Sequence, residues 1–420
     1  MTLLIKVVYL AFFAAQLTVE SALTLLNLRH TARAGDRVPS PLASEVGPEM
    51  VQKSRAYTLA RGRFELVHGC YDAILTLVLL FSGLLPALDS ALERHGLAGA
   101  HRAVLFLVLL AATVGLVSLP FSLYGTFVLE ERFGFNRTSF GLWLKDRLKG
   151  LVLSLALGVP LAYAGYGFFT LAGRAWWLWL FAVLTAVQLA LVWLYPTLIA
   201  PLFNRFSPLP EGELRSRLEA LAREAGFRTR GLFVMDASRR SGHSNAYFAG
   251  FFRPRIVLFD TLVAHMNVEE ATAVLAHEIG HYQARHVHKR LLVGLALQFV
   301  SLFVLARLAA WPPLFFAFGF KGPSFQAAVA LASLCGGAFT FFLAPLESRV
   351  SRRHEYEADR YAVRLSQAPA LKTALVKLNG ENLANLNPHP WYSAWHYSHP
   401  TLEERLLAVD RVAGPLSEGD

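Results

Sequence analysis

Cysteine is nearly absent: Cys70 and Cys335 are the only two among 420 residues. That excludes a disulfide-built scaffold and a Cys-rich zinc module. Charge is scarce as well. Asp, Glu, Lys and Arg make up 17% of the chain, against about 25% in an ordinary soluble protein. Apolar residues take their place, at 54% with a mean hydropathy of +0.40. Such a chain is too apolar for a string of soluble domains and far too apolar for disorder. Low-complexity tracts and repeats of fixed period are also missing, which removes solenoids and repeat arrays. Acidic residues are the rarer sign, 30 against 40 Lys and Arg, giving a net charge of +10. In a soluble protein that excess would suggest nucleic acid. In a membrane protein it is the ordinary consequence of basic loops that face the cytoplasm, so no nucleic-acid partner is expected.

Long hydrophobic runs are what the sequence has in quantity. About 20 consecutive apolar residues cross a ~30 Å hydrocarbon core. Seven stretches qualify, near 3–26, 66–88, 103–128, 149–172, 175–200, 291–311 and 325–346. The first is read as a retained span rather than a signal peptide, because it has no sizeable basic leader and Glu20 interrupts it. Lys and Arg counts between the runs alternate without exception. They are seven in 29–63, two in 89–102, four in 129–148, then Arg174 alone, thirteen in 201–290, Lys321 alone, and nine after 346. The alternation places the N-terminus outside or lumenal and the C-terminus in the cytoplasm.

The expected organisation has four parts. A membrane region, 1–200, carries five spans, and a first polar segment, 201–290, folds outside lipid. Spans six and seven occupy 291–346, and a second polar segment, 347–420, completes the soluble part. In the first polar segment, Leu214, Leu218 and Leu221 mark one face of an amphipathic helix over 211–225. The β-rich runs 231–236 and 255–260 read as strands, with 245–250 as a third.

After the last strand comes a helix start, with Asn267 as N-cap and Glu270 three residues on. His277 and His281 lie one turn apart on that helix and therefore share a face. Two imidazoles so placed can hold one zinc ion, while Glu278 beside the first can reach a water on the ion's open side. This is the H-E-x-x-H pattern of zinc proteases. Such a centre needs a third protein ligand. The helical stretch 347–365 offers Glu355 and Asp359, again one turn apart, with His354 and Glu357 as competitors. One carboxylate could bind the metal while the other hydrogen-bonds a ligand histidine. Spacing leaves that choice open, and a salt-bridged face with Arg352, Arg353 and Arg360 is the alternative.

His277-Glu-Ile-Gly-His281 followed by Ser351-Arg-Arg-His-Glu-Tyr-Glu-Ala-Asp359 resembles the type I CAAX prenyl protease family. Six further strings extend the likeness over the whole chain: Glu130-Glu-Arg-Phe-Gly-Phe-Asn136, Leu194-Tyr-Pro-Thr-Leu-Ile-Ala-Pro-Leu-Phe203, Pro208-Leu-Pro-Glu-Gly-Glu213, Ser244-Asn-Ala-Tyr-Phe248, Ile256-Val-Leu-Phe-Asp-Thr261 and His396-Tyr-Ser-His-Pro400. The resemblance implies a mostly α membrane protein whose seven transmembrane helices enclose a chamber. A zincin-like α+β protease domain would sit on the cytoplasmic side. It implies one Zn2+ per chain, held by His277, His281 and Glu355, with Glu278 as general base and Asp359 orienting a ligand histidine. His399 would stabilise the oxyanion, and Asn245 and Ala246 would hold the substrate backbone.

The implied activity is endoproteolysis near a peptide's C-terminus, of the type that removes the last three residues of prenylated CAAX proteins. The alternative is a membrane quality-control zinc protease without a dedicated CAAX substrate. Expected partners are peptide or protein substrates, prenylated or not, and the bilayer, with the chain acting as a monomer. The membrane would be a bacterial inner membrane or the endoplasmic reticulum, depending on the host. Elsewhere, Glu20, Glu65 and Asp72 are candidates to line the chamber or to form ion pairs. His286 and His288 are expected at a solvated interface and both cysteines as packing residues; Arg405 and Glu404 are candidate partners only if His399 merely anchors the loop ending at Pro400.

Overall fold

The computed structural model describes residues 1–39, 42–227, 229–250 and 254–414. Seven helices in it are long and apolar enough to cross a membrane: Thr2–Ala34, Pro48–Phe81, Gly99–Val117, Phe140–Leu171, Gly173–Phe203, His286–Ala309 and Phe325–Leu365. Each contains or overlaps one of the seven apolar runs. Their large side chains point outward, as lipid contact requires: Leu3, Val67, Ile74, Leu116, Val152 and Leu292 all stand exposed. Inside the bundle, Tyr9, Phe106, Phe315, Ala327 and Ala330 form a common core.

Several of these helices outrun the membrane. Pro48–Phe81 has 34 residues, or about 50 Å at 1.5 Å per residue, against the ~30 Å core. Its N-terminal part carries Lys53, Arg55, Arg61, Arg63 and Glu65, charges that a hydrocarbon core accommodates only at high cost. The apolar run at 66–88 marks only the part that meets hydrocarbon. The third run, 103–128, is likewise not one helix. It divides into Gly99–Val117, a short helix Leu119–Tyr124 and a π-helical turn Gly125–Glu130.

The polar domain has its own core, with Leu218, Leu258, Leu262, Leu275, Ile279, Leu371 and Leu406 in one cluster. Glu213–Glu224 forms the expected amphipathic helix. A four-stranded sheet comprises β1 (Phe206–Pro208), β2 (Leu232–Met235), β3 (Ala246–Ala249) and β4 (Arg255–Phe259), in the order β1-β2-β4-β3. β2 and β4 run parallel; β3 lies antiparallel on β4 with Ala246 opposite Leu258. β3 is therefore an edge strand. β1 has no counterpart among the expected strands, being three residues long and ending in proline.

The helix Val268–Gln283 lies at the centre of this domain. Asn267 accepts from the Glu270 N–H and Glu270 accepts from the Asn267 N–H, both at 2.9 Å, a complete capping box. Ten of its sixteen residues are buried, including the whole run from Glu270 to His277. It packs on the helix Ala344–Leu365, which continues the seventh span out of the membrane after the short turn 341–343. Gly280 makes that packing close. A Cβ added there would sit 3.0 Å from both the Ala358 Cα and the Tyr361 Cβ. Glycine facing alanine lets the two backbones approach until the histidines of one helix meet the carboxylates of the other.

Candidate active site

That close approach brings His277, His281 and Glu355 together, with one ligand atom from each lying within 4.8 Å of the others. The Nε2 atoms of the two histidines are 3.1 Å apart. Glu355 places Oε1 at 3.2 Å from His281 Nε2 and Oε2 at 3.5 Å from His277 Nε2. Glu355 is fully buried, with both carboxylate oxygens turned toward imidazole nitrogens. Two imidazole nitrogens and a buried carboxylate oxygen converging on one point would be costly unless a cation lay between them. Two nitrogens and one oxygen also make a donor set suited to a catalytic zinc site. The residues fit a metal.

The remaining nitrogens of both histidines are held from behind. His277 Nδ1 lies 2.8 Å from Asp359 Oδ1. Arg405 grips the same carboxylate with two bonds, Nη2 to Oδ1 at 2.6 Å and Nε to Oδ2 at 2.9 Å. Burial alone would lower the His277 pKa, but hydrogen bonds to Asp359 and Glu355 outweigh burial and raise it when no metal is bound. A proton kept on Nδ1 leaves Nε2 free to bind metal. His281 Nδ1 meets His286 Nδ1 at 2.9 Å, and His286 Nε2 meets Glu357 Oε2 at 3.1 Å.

His286 is thus fully buried rather than solvated, and its ring stacks on His354 at 3.9 Å. Glu357 and His354, the competitors for the metal, are both turned toward His286. Arg405 serves Asp359, while Glu404 caps the helix Leu402–Ala413 through Thr401. The hold of Arg405 on Asp359 and of Glu357 on His286 was not visible in the sequence, because the two pairs join residues 46 and 71 positions apart respectively.

Glu278 is half-buried and points into a cavity of about 1110 Å³, whose walls include Glu355, His399 and Asn245 to Phe248. Leu161, Leu184, Val187, Leu191 and Leu302, from the membrane helices, supply its apolar side. Burial pushes the Glu278 carboxyl up to about 7, against the pull of His277. His399 stands at the mouth with its side chain 62% exposed and Nδ1 2.7 Å from Glu355 Oε2. It faces the Glu355 carboxylate directly, a contact not apparent from the sequence.

β3 contributes an unpaired edge to the same cavity. The Asn245 C=O accepts from the Phe259 N–H at 3.0 Å. By the alternation of an antiparallel ladder, Ala246 and Phe248 then turn their backbone groups away from β4. The Ala246 N–H is occupied by the Asn245 side-chain oxygen at 2.8 Å.

The other ionisable groups near the spans are paired. Glu65 bonds Arg61 at 2.8 Å and also lines a neighbouring cleft; Asp72 lies 3.5 Å from His68, and Glu20 3.8 Å from His396. Cys335 packs against the membrane core, whereas Cys70 is exposed and not a packing residue.

Comparison with known proteins agrees with this architecture. Residues 27–205 match the CAAX prenyl protease N-terminal family with five membrane helices, and 208–413 match peptidase family M48. The chain is 38% identical to a CAAX prenyl protease 1 homolog of Arabidopsis thaliana, over 92% of this chain and 94% of that protein. It is 36% identical to CAAX prenyl protease 1 of Saccharomyces cerevisiae, over 97% and 96%. The human homolog is 33% identical over 91% and 90%. The crystal structure of S. mikatae Ste24p superposes with a TM-score of 0.88 at 35% identity, covering 97% of this chain and 99% of that one. With a cluster that could hold a metal, its buried carboxylates and its seven apolar helices, the chain belongs to the CAAX prenyl protease 1 family of M48 metallopeptidases, as an integral multi-pass membrane protease.

Proposed function

We propose that this protein is a zinc endopeptidase that removes the last three residues of prenylated CAAX proteins, with His277, His281 and Glu355 holding one zinc ion. The observation that carries the reading is the convergence of those three side chains beside Glu278, in a cavity that also contains an unpaired strand edge. The ion, when bound, acidifies water and polarises the scissile carbonyl. Glu278 takes the proton of the attacking water and returns it to the leaving amine. A carboxyl whose pKa lies near 7 is well suited to both steps. His399 donates to the carbonyl oxygen as negative charge builds on it. Asp359, held by Arg405, keeps His277 in the tautomer that leaves Nε2 free. The substrate backbone adds to β3 at Ala246, displacing the Asn245 amide from the Ala246 N–H, so the strand reads main chain rather than side chains. The apolar membrane-side wall of the cavity suits a hydrophobic substituent next to the cut.

The four-part division of the chain belongs to the same proposal. Segments 201–290 and 347–420 form one catalytic unit on the cytoplasmic side, with the N-terminus outside or lumenal and the chain working as a monomer. The test uses purified protein in detergent and a matched pair of CAAX peptides, farnesylated and free, with products read by mass spectrometry. Release of an intact three-residue peptide from the farnesylated member, lost on chelation and restored by zinc, is expected. Cuts scattered along unrelated unfolded chains, with no preference for the CAAX end, would favour the quality-control reading instead.

A further inference from the structure

One residue outside the catalytic cluster controls the end of the strand edge. Asn382 caps the helix Ala368–Glu381, and its side-chain amide lies against Ser244, two residues before Ala246. Its Oδ1 accepts from the Ser244 N–H and its Nδ2 donates to the Ser244 C=O, each at 3.3 Å. A side-chain amide that satisfies both backbone groups of one residue does what a paired strand would do at that position. Asn245 faces β4, so Ser244 belongs to the same free edge as Ala246 and Phe248. Among the described residues the edge is therefore open at Phe248, covered by the Asn245 side chain at Ala246 and closed at Ser244.

The closure is built firmly. His243 Nδ1 lies 2.9 Å from Asn382 Oδ1, and its Nε2 lies 3.3 Å from Glu130 Oε2. Its ring stacks on Phe135 at 4.0 Å. Glu130 and Phe135 belong to the Glu130–Asn136 string, which thus ties the lead-in of β3 to the end of the third span. Leu383, directly after Asn382, adopts φ +46°, a left-handed conformation unfavourable for leucine. Strain held at one position signals that the position is imposed by its surroundings.

Asn382 also stands in a second cleft, of about 520 Å³, which shares His399 with the catalytic cavity and is lined further by Arg61, Asn379 and Arg405. Asn245 to Phe248 line the catalytic cavity, Asn382, which covers Ser244, lines this cleft, and His399 belongs to both. We propose that Asn382 is an end stop: it limits how many substrate residues can pair beyond the cleaved bond and so helps to set the length of the released peptide. The inference rests on the reading of β3 as the substrate strand. A peptide lying antiparallel on β3, the commoner pairing, has its C-terminus at the Ser244 end. Residues beyond the stop would have to displace the Asn382 amide and leave it without its backbone partners.

The test compares two farnesylated peptides that differ only in carrying three or five residues after the prenylated cysteine. The wild-type protein should cleave the three-residue peptide with the higher kcat/KM. Asn382→Ala should narrow that gap by about tenfold, the equivalent of one or two lost hydrogen bonds, with zinc content unchanged. Asn382→Asp keeps the acceptor for the Ser244 N–H and loses the donor to its C=O. It should fall in between, and it carries the comparison if the alanine variant does not fold. A gap that persists in the variants overturns the end stop and leaves β3 as the substrate strand. A wild-type protein without any gap overturns both.

Discussion

The membrane bundle and the polar domain use apolar residues in opposite ways. In the spans they face outward: Leu116 is 64% exposed within a helix meant for lipid. In the metal helix the same residue type faces protein on every side, and Leu275 is 1% exposed. Charges are divided in a corresponding way. The domain buries its ionisable groups in fixed partnerships, such as Asp359 with Arg405 and Glu270 with Lys377 at 2.7 Å. The bundle keeps Arg61 and Glu65 on the part of a long helix that lines water-accessible clefts. The bundle encloses and the domain holds geometry. A protease that cuts at a membrane needs both, because enclosure without a rigid centre gives no chemistry.

The largest effect expected from breaking that division is at the metal. His281→Ala or Glu355→Ala removes one of three converging ligands and should cost most of the bound zinc and nearly all turnover, measured by metal analysis beside a peptide assay. Normal zinc in both variants would contradict the ligand assignment. His399→Ala comes next. If His399 donates mainly to the developing oxyanion, kcat should fall by about 10²–10³-fold with zinc content and KM little changed. Its contact with Glu355 sharpens this test, since a role in holding the metal ligand would show as lost zinc.

A smaller contrast separates the two regions directly. Leu275→Ala should destabilise the domain by about 2–5 kcal/mol through the cavity it leaves. Leu116→Ala, in contact with lipid, should change stability by less than about 0.5 kcal/mol. Thermal unfolding in one detergent compares them, and equal losses would mean that the bundle packs as the domain does. The gentlest probe is pH. Glu278 acts as a base only when deprotonated, and burial holds its pKa up to about 7. Activity should therefore be lost as pH falls through a limb lying at or below about pH 7, because a bound zinc's charge pulls the same carboxyl down. A limb above that pH would point to another group.

The sequence was most legible where one physical rule acts alone. Lipid demands some twenty apolar residues in a row, so all seven spans could be read. The polar continuations could not: Arg61 and Glu65 look like loop residues, yet their helix runs unbroken from Pro48 to Phe81. The π-helical turns Gly125–Glu130 and Tyr195–Ile199 leave no periodic signature either. At the site, the spacing of His277 and His281 and the Asn267–Glu270 cap are local, and both were readable. The choice among Glu355, Asp359, His354 and Glu357 was not, because it depends on how closely two helices approach at Gly280 and Ala358. His286 shows the limit best. Its neighbours Arg285 and Lys289 suggest solvent, but Glu357 and His354, from a distant helix, enclose it.

The proposed reaction turns on Glu278 performing the proton transfer at a metal held by other residues. Glu278→Gln preserves the side chain's shape and removes its basicity. Zinc content and turnover of the farnesylated peptide, measured on the same preparation, test this role most directly. A full complement of zinc with turnover lowered by orders of magnitude is the predicted result. Near-normal turnover at full zinc would contradict it.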